Sequence, residues 1–304
     1  MDPPDDPDAV RLAAGPLAAT FLPGFGMLGA SLTWRGVELL RRTEDLAAAA
    51  AAGSTAGIPL LHPWANRLSG LRYEAAGRTV KLDPASPLLH LDGSGLPIHG
   101  VPWSRLSWSI GTQSVDTVAA AFRWGSPEEL AVFPYPHRLA LVARLSPRAL
   151  TIEVSLTADP AGPVPVSFGF HPYLGLPDLP REQWRLELPR MRRLVADGQG
   201  IPTGAEQDYP GFAGPLGDTT FDDGFALPGS AAPLAIAGGG LRIAVEPLAG
   251  YGYAQVFAPP GKALIALEPM TAPTNALASG RGLQFVPPGG SYRAAFRIAV
   301  AEAP

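Results

Sequence analysis

Glycine and proline interrupt this chain everywhere. There are 35 of each in 304 residues, spread through the whole sequence and not gathered into one linker. Both residues disfavour helix interiors and favour turns. A chain punctuated this densely leaves short apolar runs between turns, the pattern of many strands. The predicted strands cover 18–22, 30–34, 117–124, 138–146, 149–157, 164–170, 241–247, 254–257, 264–268 and 291–300. Within them, 151–157 reads Thr-Ile-Glu-Val-Ser-Leu-Thr, a clean polar–apolar alternation for a strand with one wet face. One helix is predicted, over 43–52, rich in alanine and stopped by Gly53. It reads as a surface helix in a connection. No repeat or shift in composition divides the chain, so the expectation is all-β: one large antiparallel β-sandwich with few short helices, spanning 1–304 as a single domain.

Composition removes several function classes. Hydrophobic residues make up 46%, enough for a sizeable core, and the low charged content of 16% argues against disorder. The net charge is −4 with no basic tract, which speaks against a nucleic-acid partner. Cysteine is absent, so disulfides, thiolate zinc sites and cysteine nucleophiles are excluded. Residues 1–8 are acidic and proline-rich, without the basic and apolar regions of a secretory signal. No run approaches the ~18 apolar residues of a membrane span. The expectation is a soluble, cytoplasmic protein with no membrane partner. Residues 1–10 are expected to form a disordered tail, and monomer and homodimer both remain open.

Two segments place a proton-transfer group beside a proline in an apolar, strand-like run: Phe168-Gly169-Phe170-His171-Pro172-Tyr173 and Leu267-Glu268-Pro269-Met270-Thr271. Histidine titrates near neutral pH, and an apolar setting tunes a carboxylate toward it. Such a pair suits a reaction that gives one proton and takes another without a cofactor. The five histidines, His62, His90, His99, His137 and His171, show no metal-ligand spacing. A P-loop, a complete dinucleotide-binding glycine pattern and a Gly-x-Ser-x-Gly elbow are all missing; Gly24-Phe25-Gly26 reads as a turn.

Other polar residues stand at the ends of apolar runs. In Pro63-Trp64-Ala65-Asn66-Arg67, the arginine offers a planar fork of donors and Trp64 a flat face of the kind that stacks on sugar rings. On residue types alone, a structural salt bridge explains Arg67 better. His99 precedes Gly100, a residue that lets a ligand approach the backbone, although a lone loop histidine is more often structural. Asp222-Asp223-Gly224 is an ordinary turn signal.

Taken together, these pieces resemble the aldose 1-epimerase (mutarotase) family, in its broad bacterial branch. The carrying residues are Pro63-Trp64-Ala65-Asn66-Arg67, Ile98-His99-Gly100, Gly169-Phe170-His171-Pro172-Tyr173, Asp222-Asp223-Gly224-Phe225 and Glu268-Pro269-Met270-Thr271. Ile201-Pro202-Thr203-Gly204, just after Asp197-Gly198, also resembles a family segment. They follow the family's order over most of the chain. The resemblance implies a galactose mutarotase-like β-sandwich with an open cleft for one monosaccharide, and neither cofactor nor metal. It implies His171 as general acid and Glu268 as general base. It implies that Arg67, His99 and Asp222 bind or orient the sugar, with Trp64 and Asn66 beside them. Asp222 is preferred to Asp223 because Phe225 follows it by three.

The galactose branch usually carries Asn-His where this chain has Phe170-His171, and Glu-Pro-Gln-Thr where it has Glu268-Pro269-Met270-Thr271. These departures remove polar groups expected near the site and speak against galactose as the substrate. The acid and base are expected on opposite sides of one sugar. Two alternatives are a hexose-6-phosphate 1-epimerase, for which Arg72 and Arg105 are available, and a non-catalytic carbohydrate-binding sandwich using Trp64, Trp103 and Arg67.

Overall fold

The alternation at 151–157 becomes strand Ala149–Ala158, whose side chains are buried and half-buried in strict turn. A computed structural model describes residues 8–41, 45–51, 55–229 and 233–303. Among these, 52% are in strands and 8% in helices. Ala149–Ala158 lies in a nine-stranded antiparallel sheet between His137–Ser146 and Ser291–Glu302. Leu139, Leu141, Ile152, Val154, Phe296 and Ile298 on its inner face are completely buried. Each such side chain contributes about 1.5–3 kcal/mol through removal from water.

An eight-stranded antiparallel sheet carries the residues of interest. Its order is Pro202–Tyr209, Met191–Ala196, Phe221–Ala226, Tyr253–Ala258, Ile265–Met270, Gly169–Phe170 and Leu60–Leu61, with Tyr173–Leu174 also pairing with Ile265–Met270. Aromatic rings join the two large sheets. Phe170 packs on Phe296 at 5.0 Å between centroids, and Phe168 meets Tyr292 at 6.3 Å. The shared core therefore lies between the sheets, and the other face of the eight-stranded sheet is left for a site. A four-stranded meander, Val10–Ala14, Leu17–Leu22, Leu28–Trp34 and Val37–Glu38, packs at the N-terminal side. This is the mostly β, antiparallel architecture expected from the sequence.

Several predicted elements change. The run 164–170 is two strands, because Val164–Val166 pairs with Gln284–Val286 while Gly169–Phe170 joins the large sheet. Asp222-Asp223-Gly224 is no turn: Phe221–Ala226 is a strand held between two neighbours, where cross-strand bonding overrides the local turn preference. The predicted helix appears as Leu46–Ala51, while Thr43, Ala52 and Gly53 lie outside the described residues. A further helix, Pro127–Val132, starts at a capping box in which Ser126 and Glu129 satisfy each other's backbone N–H groups. Among the described residues, no helix is long and apolar enough to cross a membrane.

Candidate active site

Strand register builds one wall of a cleft. Asp222 stands opposite Phe257, and Gln255 opposite both Gly224 and Glu268. Side chains alternate along a strand, so Asp222, Gln255, Phe257 and Glu268 share one face. Gln255 Nε2 donates to Asp222 Oδ1 at 2.7 Å. Gly224 leaves room for this bond, since a Cβ there would lie 3.2 Å from Gln255 Oε1. Asp223 points the other way and pairs with Arg193 Nη2 at 2.6 Å.

Two short loops build the opposite wall. Arg67 bridges to Ile98, the His99 N–H donates to the Asn66 carbonyl at 3.0 Å, and the Asn66 N–H donates to His99 Nδ1 at 3.3 Å. Both Asn66 and His99 are left-handed, with φ of 58° and 62°. Non-glycine residues adopt such φ rarely, and they concentrate at functional sites. Asn275, at φ 66°, donates its N–H to the Arg67 carbonyl at 2.9 Å. Arg67 Nε donates to Asp92 Oδ2 at 2.7 Å, and its Nη1 lies 4.0 Å from Asp222 Oδ2. The 197–200 turn closes on the same guanidinium: a Cβ at Gly200 (φ +77°) would lie 3.1 Å from Arg67 Nη1.

His171 and Glu268 meet at the floor. His171 Nε2 lies 3.2 Å from Glu268 Oε1, and both side chains are almost completely buried. His171 Nδ1 and Glu268 Oε2 are buried without a hydrogen-bond partner. Burial pushes His171 down to about 3. Burial also pushes Glu268 well above the usual carboxylate range; Asp222 adds to this and Arg67 opposes it. Both directions favour a pair that is uncharged and holds one proton between its members. Burial likewise drives His99 well below its ordinary value, reinforced by His171, Arg67 and His90. Neutral His99 accepts at Nδ1, so its proton sits on Nε2 as a donor.

The cleft has a volume of about 150 Å³ and is lined by Asn66, Arg67, Ile98, His99, His171, Tyr173, Asp222, Phe257 and Glu268. Drug-sized pockets run to roughly 300–1,000 Å³. This one suits a single small ring that leaves one side in solvent. Its polar groups offer donors from Arg67 and His99, acceptors from Asp222 and Asn66, and a proton-transfer pair. No group of three or more His, Cys, Asp or Glu among the described residues is arranged to hold a metal ion.

Of the residues singled out in the sequence, the cleft gathers Arg67, Asn66, His99, Asp222, His171 and Glu268, but not Trp64. The Trp64 ring is fully buried in the core and presents no face to a ligand. Gly100 also serves another purpose. A Cβ there would lie 2.2 Å from the His62 carbonyl oxygen, so the close approach is backbone on backbone. His171 and Glu268 touch, so no ring fits between them. Phe170 points into the inter-sheet core and Met270 packs against Leu61, Ala65 and Tyr253. Neither lines the cleft, so they give no ground for judging galactose.

Sequence reasoning missed Asp92, Gln255, Phe257 and Gly200, which act through register and loop approach. Tyr173 stood inside a singled-out segment but carried no assigned role.

Comparison with known proteins agrees with this architecture. A galactose mutarotase-like protein from Clostridium acetobutylicum superposes with a TM-score of 0.83 at 18% identity, over 96% of this chain and 95% of its own. The GalM/aldose epimerase homologue from C. elegans gives 0.80 at 18% identity, over 97% and 99%. Among curated sequences, the uncharacterized protein YphB of Escherichia coli K12 is 28% identical over 163 residues. That match spans only about half of each protein, 50% of this chain and 51% of YphB. The aldose 1-epimerase family profile matches residues 28–299, nearly the whole chain. The chain belongs to the aldose 1-epimerase family.

Proposed function

We propose that the protein is an aldose 1-epimerase that interconverts the α and β anomers of an unphosphorylated aldose. The observation that carries this reading is the 3.2 Å contact of His171 Nε2 with Glu268 Oε1 on the floor of a one-ring cleft. Anomer exchange moves protons at two oxygens, the C1 hydroxyl and the ring oxygen, both bonded to the same carbon. An acid and a base that serve them must be close neighbours, as these two are.

Burial holds the empty pair uncharged. A sugar hydroxyl donating to Glu268 favours the carboxylate and moves the shared proton to His171. Glu268 then takes the C1 hydroxyl proton while His171 protonates the ring oxygen. The bond from C1 to the ring oxygen breaks and a C1 carbonyl forms. After rotation about C1–C2, the new hydroxyl attacks the other carbonyl face. His171 recovers its proton from that hydroxyl, and Glu268 returns its own to the carbonyl oxygen. Protons balance over the cycle, with no redox step. Arg67, Asn66, His99 and Asp222 hold the remaining hydroxyls.

Charge supports an unphosphorylated substrate. Arg67 is the one cation among the described lining residues, and Asp92 and Asp222 already face it. Arg72 and Arg105 are both exposed and line no part of the cleft. The non-catalytic reading loses two of its three residues, because Trp103 is buried as well as Trp64.

Replacing His171 or Glu268 by alanine is expected to lower the exchange rate by about 10²–10⁴-fold each, with the fold retained. Saturation-transfer NMR on glucose measures this. Wild-type rates in both variants would reject the assignment, and faster exchange of glucose 6-phosphate than of glucose would reject the unphosphorylated substrate.

A further inference from the structure

A histidine that moves protons is commonly oriented by a hydrogen bond at its second ring nitrogen. In His171 that nitrogen, Nδ1, is buried and bonds to no neighbouring residue; its one polar contact is with the residue's own backbone. The cleft face of the ring carries Nε2, which meets Glu268. A contact with its own backbone does not tie the imidazole to the rest of the site, so a neighbouring group must stop it from turning over and exchanging its nitrogens.

We propose that Tyr173 is the positioning residue for His171, clamping the imidazole by stacking and selecting Nε2 as the working nitrogen through its hydroxyl. This rests on the reading of His171 as the proton donor. The Tyr173 ring stacks on the imidazole with centroids 4.3 Å apart and planes 27° from parallel. His99 meets the same ring edge-on at 5.4 Å and 85°. The Tyr173 hydroxyl lies 3.4 Å from His171 Nε2 and is itself held by the Thr55 hydroxyl.

The tyrosine is fixed in turn by its backbone. Its N–H donates to the Gly57 carbonyl at 3.0 Å, its carbonyl accepts from the Arg41 N–H at 2.8 Å, and it pairs across the strands with Ala266, in the strand that carries Glu268. Burial raises the phenol well above its ordinary value, and the Glu268 charge adds to this while Thr55 opposes it. Tyr173 therefore stays protonated and can donate to Nε2 or pass its bond to Thr55. Thr55, Tyr173, His171 and Glu268 form one continuous polar chain, and its last three members line the cleft.

The test compares Tyr173→Phe, Tyr173→Leu and Thr55→Val with the parent enzyme and with His171→Ala. Tyr173→Leu loses both stack and hydroxyl and should lower kcat about 100-fold, and Tyr173→Phe about 10-fold, as expected for weakened general acid catalysis. Thr55 lines no part of the cleft, so Thr55→Val should leave KM within about threefold. Thr55→Val keeps Tyr173 intact and should lower kcat by only a few-fold. Nitrogen-15 NMR of the His171 ring should show one tautomer in the parent and a mixture of tautomers in Tyr173→Leu.

If Tyr173→Leu fails to fold, Tyr173→Phe and Thr55→Val decide through the pH profile of kcat, which should shift in both. Unchanged kcat, pH profile and ring signals in the folded variants would overturn the proposal. A merely structural role would lower the folded fraction alone, and that outcome also overturns it. His171→Ala separates the two levels. If it retains the parent rate, the functional reading itself fails; if it is inactive while the folded Tyr173 and Thr55 variants match the parent, only the clamp fails.

Discussion

Asp222 and Asp223 are adjacent in one strand and face opposite ways. Asp222 faces the cleft and is held by Gln255, whereas Asp223 is engaged by Arg193 on the far side. Asp222→Asn should therefore raise KM about tenfold, the effect of weakening one charge-assisted hydrogen bond to the sugar. Asp223→Asn should leave KM within about twofold and cost at most about 1 kcal/mol of stability, as for a partly exposed ion pair. Steady-state kinetics and thermal unfolding of the two variants check this, and equal KM effects would contradict the assignment. At this scale residue type alone was enough to single out His171 and Glu268, which the fold brings into one cleft, whereas Arg67 stood out only through the resemblance. The sequence was silent where a residue works through another. Gln255 became part of the site because register sets it opposite Glu268, and Asp92 because its loop folds back onto Arg67. Trp64 misled for the same reason, since residue type gives a flat ring but not the direction it faces.

Elements with a strong local period could be read directly. Strand Thr117–Trp124 has the predicted bounds, and His137–Ser146, Ala149–Ala158 and Ser291–Glu302 differ from prediction by only one or two residues at their ends. Strand Pro202–Tyr209 was not legible, because it is exposed along almost its whole length and carries no apolar alternation. Phe221–Ala226 was hidden by its Asp-Asp-Gly turn chemistry. The capping box at Ser126 was legible by its spacing, Ser-Pro-Glu-Glu, and was overlooked. The short turn Arg181–Gln183 shows what no local pattern can reveal. Buried Arg181 donates to the carbonyls of Gly217, Thr219, Lys262 and Leu264 at 2.6–3.4 Å, tying two distant loops to one side chain. Arg181→Met leaves those carbonyls unsatisfied and should destabilise the protein by about 2–4 kcal/mol. Urea unfolding measures this, and a loss below ~0.5 kcal/mol would contradict it.

Across the whole molecule, histidine burial makes the fold sensitive to acid. His137 donates from Nδ1 to the Tyr135 carbonyl at 2.7 Å, so its Nε2 accepts from His62 Nε2 at 2.9 Å. Both rings are neutral and almost completely buried. Burial lowers His137 to about 4 and His171 to about 3. Burial, helped by His137, drives His62 well below its ordinary value. The unfolded chain takes up these protons near pH 6.5 while the native state resists them. Stability from the three histidines is thus complete above about pH 6.5 and is lost as pH falls toward 4. Each contributes up to about 1.4 kcal/mol per pH unit. Glu268 has the opposite sign, since its raised value gives stability below the ordinary carboxylate range that is lost as pH rises, so it offsets only part of the effect. Melting temperature should fall steadily between pH 6.5 and 4.5, and a flat profile would contradict this account. The proposed acid–base pair answers to a different variable. With one proton shared between His171 and Glu268, the neutral and ionised tautomers have the same net charge, and so does every stage of the proposed cycle. Counterions find no change in total charge to screen at the chemical step. Ionic strength can then act on the charged surface, where Arg192, Glu206 and Asp208 meet in solvent, while the reaction proceeds at constant charge beneath it.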